Sequence, residues 1–209
     1  MSEPLHCDVL VLGCGIAGGT AALELAEAGL DVLIVTRAER PAESNTYWAQ
    51  GGIIFEGSGD SPELLARDID HAGDGLCHGR AVDILARSGP GLVRSLLLDR
   101  LKVPFDREPD GSLALGREGG HSIPRIVHAT DATGRAIESA LIEALSSHPR
   151  VRVLANHTGV DLLTPAHHGR DRRAIYDPLS CVGAYVLEQA SGEIVRCFAR
   201  ATVLATGGL

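Results

Sequence analysis

The sequence is short of the residues that mark several common classes of protein. Lysine occurs once, at Lys102, among nineteen basic residues, and aromatic residues make up 3% of the chain. The 27 acidic residues leave a net charge of −8. Because surfaces that bind nucleic acid are usually basic, this balance argues against a nucleic-acid partner.

Cysteine and histidine show no pattern typical of a disulfide framework or a metal site. The number of cysteines is odd, and no two have the Cys-x-x-Cys spacing; they are Cys7, Cys14, Cys77, Cys181 and Cys197. Scattered cysteines of this kind predict reduced thiols in a cytoplasmic protein. His167 and His168 are adjacent, but no acidic or cysteine partner has the spacing of a metal ligand. We therefore expect a solvated loop there and no metal.

Long apolar segments are also missing. No apolar run is long enough to span a membrane, and the N-terminus has neither the basic nor the apolar region of a signal peptide. We therefore expect no membrane partner. The 209 residues suffice for one domain with a sizeable core or for two small ones.

The first thirty-odd residues predict a complete β-α-β unit. Residues 8–12 form a short β-branched apolar run that indicates a buried strand, and residues 31–36 form a second one. Between them, residues 16–28 are rich in alanine and leucine and predict a helix that Gly29 ends.

A glycine-rich motif joins the first strand to this helix. It fits Gly-x-Gly-x-x-Gly and consists of Gly13, Cys14, Gly15, Ile16, Ala17 and Gly18. In such motifs the glycines allow a tight turn, close approach of a pyrophosphate and close helix–strand packing, and the amides at the helix N-terminus bind phosphate. A match of this kind is weak alone, but its place in a β-α-β unit predicts dinucleotide binding.

The end of the second strand departs from the usual pattern. An acidic residue that binds a ribose hydroxyl is expected there, and Thr36-Arg37 stands instead. A threonine hydroxyl can bind the ribose and Arg37 can face a phosphate. This fingerprint alone leaves both FAD and NAD open.

The remaining elements predict an α/β chain. Ser61 and Pro62 begin a helix that ends near Gly73. A second helix is predicted over residues 79–100, with a break at residues 88–91. A hairpin turn is predicted at Asp110-Gly111. A third helix follows residues 131–134 and ends near Ser147, and a strand is predicted over residues 151–154. A small antiparallel excursion is predicted over residues 160–163, 182–189 and 194–199. Residues 200–209 predict a buried strand that runs into a glycine turn, which suggests an incomplete domain.

Longer motifs resemble those of a known family. They occupy residues 11–18, 44–53, 117–122, 128–135 and 205–208, and together they span almost the whole chain. On these motifs the chain resembles the L-aspartate oxidase branch of the FAD-dependent succinate dehydrogenase and fumarate reductase flavoproteins. The resemblance implies a Rossmann-like FAD-binding domain over residues 1–209, without the capping and C-terminal helical domains of that family.

The resemblance also implies how FAD is bound. Asn45 stands where the dehydrogenases and reductases carry the histidine that is linked to flavin, so the flavin should be non-covalent. By the same resemblance the cofactor contacts are Gly13, Cys14, Gly15, Ile16, Ala17, Gly18, Thr36, Arg37, Asn45, Thr46, Tyr47, Trp48, Ala49, Gln50, Gly51, Gly52, Ala205, Thr206 and Gly207.

The resemblance implies that the loop containing Glu118 selects the substrate; taken without the resemblance, Glu118 would be interpreted as a solvated loop glutamate. The succinate and fumarate enzymes of the family have an apolar residue at this position. A carboxylate there would attract the ammonium group that distinguishes L-aspartate from succinate. His121 either contacts a substrate carboxylate or makes a structural hydrogen bond within the loop.

The implied reaction is hydride transfer from L-aspartate to FAD, giving iminoaspartate in the first step of de novo NAD biosynthesis, with oxygen or fumarate as the electron acceptor. Quinolinate synthase is a partner that the family suggests. The family's proton donor and carboxylate-binding residues lie outside this chain, so we expect weak FAD binding and no oxidase activity from it alone. The alternatives are a succinate- or fumarate-type flavoprotein, an NAD(P)-linked or flavin reductase, and a non-catalytic FAD-binding fragment.

Overall fold

A computed structural model describes residues 3–130 and 132–208 of the chain. The strands are β1 Leu5–Leu12, β2 Val32–Val35, β3 Ile53–Ile54, β4 Leu115–Gly116, β5 Ile126–Val127, β6 Val151–Leu154, β7 His157–Leu162, β8 Gly183–Glu188 and β9 Glu193–Leu204. The α-helices are α1 Ile16–Glu27, α2 Asn45–Trp48, α3 Pro62–Ala72, α4 Gly79–Leu92, α5 Thr133–Ser147 and α6 Pro165–His168. A π-helix spans Val93–Arg100, and a 3₁₀-helix spans Arg172–Tyr176.

The chain divides into two compact units. The first contains the described residues up to Tyr47 and those from Leu141 onward, and the second is Trp48–Ala140. The first unit holds a six-stranded sheet in the order β6-β2-β1-β9-β8-β7. Strands β6, β2, β1 and β9 are parallel, and β8 and β7 continue the sheet in antiparallel fashion. The predicted α/β class with a parallel sheet is confirmed.

The β-α-β unit is confirmed as the centre of this sheet. Every residue of β2 is buried, as are the last four residues of β1. Strands covered on both faces need apolar residues at consecutive positions, which explains why these runs do not alternate with polar residues. One face packs on β8 and β9 in an apolar cluster that includes Leu10, Leu33, Val186 and Cys197.

Helix α1 packs closely on α5 because Gly19 lacks a side chain. A β-carbon built at Gly19 would lie 2.6 Å from Cδ2 of Leu141 and 3.2 Å from Cδ1 of Leu145. Both leucines are fully buried, as the helical spacing of the apolar residues in this segment predicts.

The predicted antiparallel excursion is confirmed. Its strands extend the main sheet, because β9 is one continuous strand of 12 residues. Its first half pairs with β8 and its second half with β1. The predicted burial of the last strand is wrong: Leu204 is 62% exposed and Ala201 is also exposed. Pairing with β1 satisfies the backbone of these residues but does not by itself cover their side chains.

The second unit contains a small antiparallel sheet in the order β3-β5-β4 and two successive helices. The start of α3 is confirmed, since the hydroxyl of Ser61 accepts a hydrogen bond from the amide of Leu64 (3.1 Å) and Pro62 is the first helical residue. Gly73 ends the helix, as predicted.

The predicted break at residues 88–91 is wrong. Helix α4 runs through Pro90 to Leu92 and widens into the π-helix at Val93. Proline has no amide hydrogen and its ring crowds the preceding turn, so it usually ends or kinks a helix. Here the amide of Val93 reaches the carbonyls of both Gly89 and Pro90, and the wider turn continues the helix instead of ending it.

The predicted hairpin turn and the last predicted long helix are both present. At Asp110-Gly111 the chain reverses with a φ of +88° at Gly111, and the amide of Glu108 donates to the carbonyl of Ser112 (2.9 Å). Helix α5 begins at Thr133 and ends at Ser147, as predicted. Asp131 and Leu209, which the sequence places just before α5 and at the end of the last turn, lie outside the described residues.

Candidate functional site

The glycine-rich turn is closed by the last strand. Gly13 has a φ of +112°, a conformation that favours glycine, and its amide donates to the carbonyl of Val35 (2.9 Å). A β-carbon built at Gly13 would lie 2.1 Å from the carbonyl oxygen of Ala205. Since no side chain fits that distance, glycine is required here by both conformation and space.

The N-terminus of α1 has the chemistry of an anion site. Gly15 precedes the helix without a capping side chain, and the first turn contains no acidic residue. Gly18 is needed for packing, because a β-carbon there would lie 2.1 Å from the carbonyl oxygen of Gly13. Cys14 is buried and Ala17 is exposed. The positive end of the helix dipole and the small residues around it fit the pyrophosphate of a dinucleotide.

Thr46 lies at the same helix end. Its hydroxyl accepts a hydrogen bond from the amide of Ile16 (3.0 Å), and a β-carbon built at Gly15 would lie 3.2 Å from this hydroxyl oxygen. The hydroxyl of Ser44 in turn accepts from the amide of Tyr47 (3.3 Å), which caps the short helix α2. The 44–47 segment is therefore fixed beside the glycine-rich turn.

The closing turn approaches this segment as well. The amide of Ala205 donates to the carbonyl of Leu12 (2.8 Å), and a β-carbon built at Gly207 would lie 3.8 Å from Nδ2 of Asn45. Thr206, Gly207 and Asn45 are all exposed. The first unit thus brings together three stretches that the sequence singled out: 13–18, 45–47 and 205–207.

Thr36 and Arg37 follow β2 in the same unit. Thr36 is 8% exposed, and its amide and carbonyl are bonded to Leu154 and His157. The side chain of Arg37 is exposed, while its carbonyl accepts a hydrogen bond from the side-chain amide of Gln189 (2.7 Å). The backbone is fixed and the guanidinium is accessible, as a phosphate contact requires.

The second unit holds the remaining predicted residues. Trp48 (67% exposed), Ala49 and Gln50 are exposed, and the carbonyl of Ala49 accepts from the amide of Gly134 (3.0 Å). Gly52 is required for packing, since a β-carbon there would lie 2.1 Å from Cγ2 of Ile126.

Glu118 contacts the two glycines that follow Gln50. Its Oε1 accepts a long hydrogen bond from the amide of Gly52 (3.4 Å) and would lie 3.3 Å from a β-carbon built at Gly51. Glu118 itself is exposed. The structure therefore places the predicted substrate selector beside the segment predicted to bind FAD.

Glu118 and His121 are the ends of one β-turn. The amide of His121 donates to the carbonyl of Glu118 (3.2 Å), and Gly120 has a φ of +89° at the third position. Nε of Arg117 donates to the carbonyl of His121 (2.8 Å). The Glu118 and His121 side chains are thus presented by a short, hydrogen-bonded loop.

Sequence reasoning missed a buried ionic cluster behind this turn. Arg125 is fully buried, with Nε and Nη2 at 2.8 and 3.0 Å from the carboxylate of Asp60 and Nη1 at 2.5 Å from Asp68. Burial acts to raise the pKa of Asp68, but hydrogen bonds from Ser122 and Arg125 outweigh it and lower the pKa to about 2. The pairing depends on tertiary contacts and has no local sequence signal.

Neither a metal site nor a membrane span is found among the residues that the structure describes. Among residues 3–130 and 132–208, no group of three or more histidine, cysteine or acidic residues is arranged to hold a metal ion. In the same ranges no helix is long and apolar enough to cross a membrane. All five cysteines are free thiols.

Comparison with known proteins identifies the family. The FAD binding domain model matches residues 8–209. The chain is 41% identical over 209 residues to L-aspartate oxidase of Halobacterium salinarum, covering 100% of this chain and 39% of that protein. It is 41% identical over 205 residues to chloroplastic L-aspartate oxidase 2-a of Nicotiana tabacum, covering 97% of this chain and 30% of the relative.

The fold also matches that of a solved structure. The chain matches the apo form of the Mycobacterium smegmatis Sdh1 complex with a TM-score of 0.85 and 28% identity, covering 99% of this chain and 35% of that one. The chain therefore spans between 30% and 39% of the length of these three proteins. Because the family model matches nearly the whole chain, this chain belongs to the FAD binding domain family, with FAD as its cofactor.

Proposed function

We propose that residues 1–209 serve as one FAD-binding domain in the oxidation of L-aspartate to iminoaspartate. The observation that most supports this substrate is Glu118, whose carboxylate lies beside Gly51 and Gly52 in a chain 41% identical to L-aspartate oxidases. A flavoprotein for succinate would gain nothing from a carboxylate at this place.

Glu118 selects the substrate by charge. L-Aspartate and succinate share two carboxylates and differ by one ammonium group. At a separation of 4 Å and an effective dielectric constant of about 20, a carboxylate attracts an ammonium by about 4 kcal/mol. If about a third of this attraction remains after the cost of desolvation, L-aspartate is preferred about tenfold over succinate.

The first unit supplies the groups that hold FAD without a covalent bond. The amides at the start of α1 bind the pyrophosphate, the hydroxyl of Thr36 binds the ribose, and Arg37 faces a phosphate. Asn45, which stands at the position of the family's flavin-linked histidine, cannot form that link. Bound FAD would supply the hydride-accepting chemistry for oxidation at Cα of the substrate, and the chain's residues would orient the reactants and stabilise charge.

Further parts of this proposal rest on the resemblance. Oxygen or fumarate would serve as the final electron acceptor, and quinolinate synthase would use the iminoaspartate in NAD biosynthesis. The cysteine pattern, the acidic net charge and the short apolar runs, rather than the resemblance, support a cytoplasmic protein with reduced thiols and without nucleic-acid or membrane partners. The chain alone binds FAD weakly and does not turn over, because the family's cations for both substrate carboxylates come from other segments.

The substrate is tested by placing this chain in a complete relative. The matching segment of the Halobacterium salinarum L-aspartate oxidase is exchanged for residues 1–209, and flavin absorbance is followed without oxygen. We expect L-aspartate to bleach the flavin band and succinate to leave it. Glu118→Gln, which keeps the shape and removes the charge, abolishes this preference, whereas Glu108→Gln, at an exposed glutamate of the same unit, retains it.

Other results would assign a different function. Equal bleaching by succinate would indicate a succinate- or fumarate-type flavoprotein. A flavin band that neither acid bleaches would indicate a cofactor domain without chemistry, and bleaching by NADPH or NADH would indicate a reductase.

A further inference from the structure

Arg125 is fully buried although it carries a permanent positive charge. An isolated buried charge is very costly, so such a residue is retained only when its hydrogen bonds are satisfied. Asp60 takes two of them in a fork, and Asp68 takes the third. Their side chains are only 7% and 13% exposed, so the cluster is shielded from solvent.

The same guanidinium reaches His121. Nη1 of Arg125 lies 3.1 Å from Nδ1 of His121. A guanidinium can only donate hydrogen bonds, so Nδ1 must accept and carries no proton in this contact. A neutral imidazole of this kind has its proton on Nε2, on the side of the ring that faces away from Nδ1.

The cluster also anchors both flanks of the turn from Glu118 to His121. Before the turn, the carbonyl of Gly116 accepts from the backbone amide of Arg125 (3.1 Å). After the turn, both the amide and the hydroxyl of Ser122 donate to Oδ2 of Asp68 (2.9 Å each). The turn therefore cannot shift without breaking bonds to a buried ion-pair cluster.

We propose that Arg125, held by Asp60 and Asp68, is a positioning residue for the substrate. It fixes His121 as a neutral donor whose Nε2–H binds a carboxylate of the substrate. It also holds the turn that carries Glu118. This inference rests on the proposed function, since it takes the substrate to be a dicarboxylate bound at this turn. A merely structural cluster would stabilise the fold without selecting a tautomer of His121.

The tautomer is tested on the full chain by NMR. Histidine is labelled with ¹⁵N, and the ring signals of His121 are assigned by their loss in His121→Gln. We expect Nδ1 at the chemical shift of an unprotonated nitrogen and Nε2 at that of a protonated one. In Asp68→Asn, which keeps the shape but loosens Arg125, the single tautomer is lost and the signals report a mixture.

Two further variants separate positioning from stability. Arg125→Lys can still donate to Nδ1 and keeps the Nε2–H tautomer in the folded fraction, whereas Arg125→Met, which has no donor, does not. Ser122→Ala removes one hydroxyl from Asp68, leaves the guanidinium in place and leaves the His121 signals unchanged. Wild-type signals for His121 in both Asp68→Asn and Arg125→Met, or a proton on Nδ1 in the wild type, would overturn the proposal.

The final step adds ligand to the FAD-loaded chimera in which residues 1–209 replace the matching segment of the Halobacterium salinarum L-aspartate oxidase, because the family's carboxylate-binding segments lie outside this chain. We expect both L-aspartate and succinate to shift the Nε2 resonance of His121, because both carry carboxylates. The absence of any shift would contradict the role of His121. Equal affinity for the two acids would leave Arg125 as a positioning residue but would contradict selection by Glu118, so the two proposals fail separately.

Discussion

The carbonyl oxygen of Ala205 occupies the space that a β-carbon on Gly13 would need, at a distance of 2.1 Å. The two residues are at opposite ends of the chain and are joined through the neighbouring strands β1 and β9. The glycine-rich turn therefore has its shape only when the last strand is paired. Cofactor binding and folding of the first unit should fail together when this contact is disturbed.

Gly13→Ala tests that relationship. We expect it to lower the free energy of unfolding by roughly 2 to 5 kcal/mol, because a clash with backbone adds to the strain of a positive φ. Gly29→Ala is the matched control, since Gly29 also has a positive φ (+91°) but has open space around it. We expect the control to lower the free energy of unfolding by about 1 to 2 kcal/mol. If urea unfolding shows the same decrease in the free energy of unfolding for Gly13→Ala and Gly29→Ala, the contact between Gly13 and Ala205 does not contribute to stability.

Gly52→Ala tests the corresponding position in the second unit. A β-carbon there would meet Cγ2 of Ile126 at 2.1 Å and the carbonyl oxygen of Val127 at 2.6 Å. We expect a loss of about 1 to 3 kcal/mol of stability, from forced displacement of β3 against β5. Gly119→Ala, at a glycine with nothing within 4 Å and no positive φ, should stay within about 1 kcal/mol of wild type. Similar melting temperatures for the two variants would contradict this packing.

The pKa of Asp68 makes part of the stability depend on pH. Its value falls from 3.8 to about 2 in the folded protein. For an acid with a lowered pKa, the stabilisation is complete above the unfolded value and is lost as pH falls through the folded value. We expect wild-type stability to drop between about pH 4 and pH 2 more steeply than that of Asp68→Asn.

Urea unfolding at a series of pH values measures this difference. Asp70→Asn, at an exposed aspartate on the same helix, is the control for loss of one carboxylate. If Asp68→Asn and wild type lose stability in parallel over this window, the buried pairing with Arg125 is not formed in solution.

The cysteines should differ in reactivity. Burial, with a smaller effect from Cys7, raises the pKa of Cys197 to about 11, and its side chain is fully buried. Because the thiolate is the reactive form, we expect iodoacetamide at pH 8 to alkylate the half-buried Cys77 and Cys181 well before Cys197. Mass spectrometry of the folded chain measures the order, and urea-unfolded chain is the control in which all five react. Early labelling of Cys197 would contradict the packing of β9.

The sequence predicts the β-α-β unit because its signals are local. Buried runs at β1 and β2, the glycine-rich turn and the helix between them each depend on residues within a few positions. Local signals also predict the cap at Ser61 and the turn at Gly111. They fail at Pro90, where the choice between ending a helix and widening it depends on packing around the turn.

Contacts between distant residues were not predictable in this way. The continuity of β9 depends on two partner strands, and the burial of Arg125 depends on carboxylates 65 and 57 residues away. An arginine in a polar loop is usually exposed, so nothing near Arg125 in the sequence indicates a buried residue. The positions of Glu118 and His121 on one turn were predictable from their spacing; what holds that turn in place was not.

Binding of FAD by the purified chain is the most direct test of the proposed cofactor site. FAD is titrated into the chain while flavin absorbance and fluorescence are recorded, and the protein is then precipitated with acid. We expect saturable, weak binding that Gly13→Ala abolishes, with all of the flavin released into the supernatant because Asn45 cannot hold it covalently. A folded chain that binds no FAD, or flavin that stays with the precipitate, would contradict the proposed site.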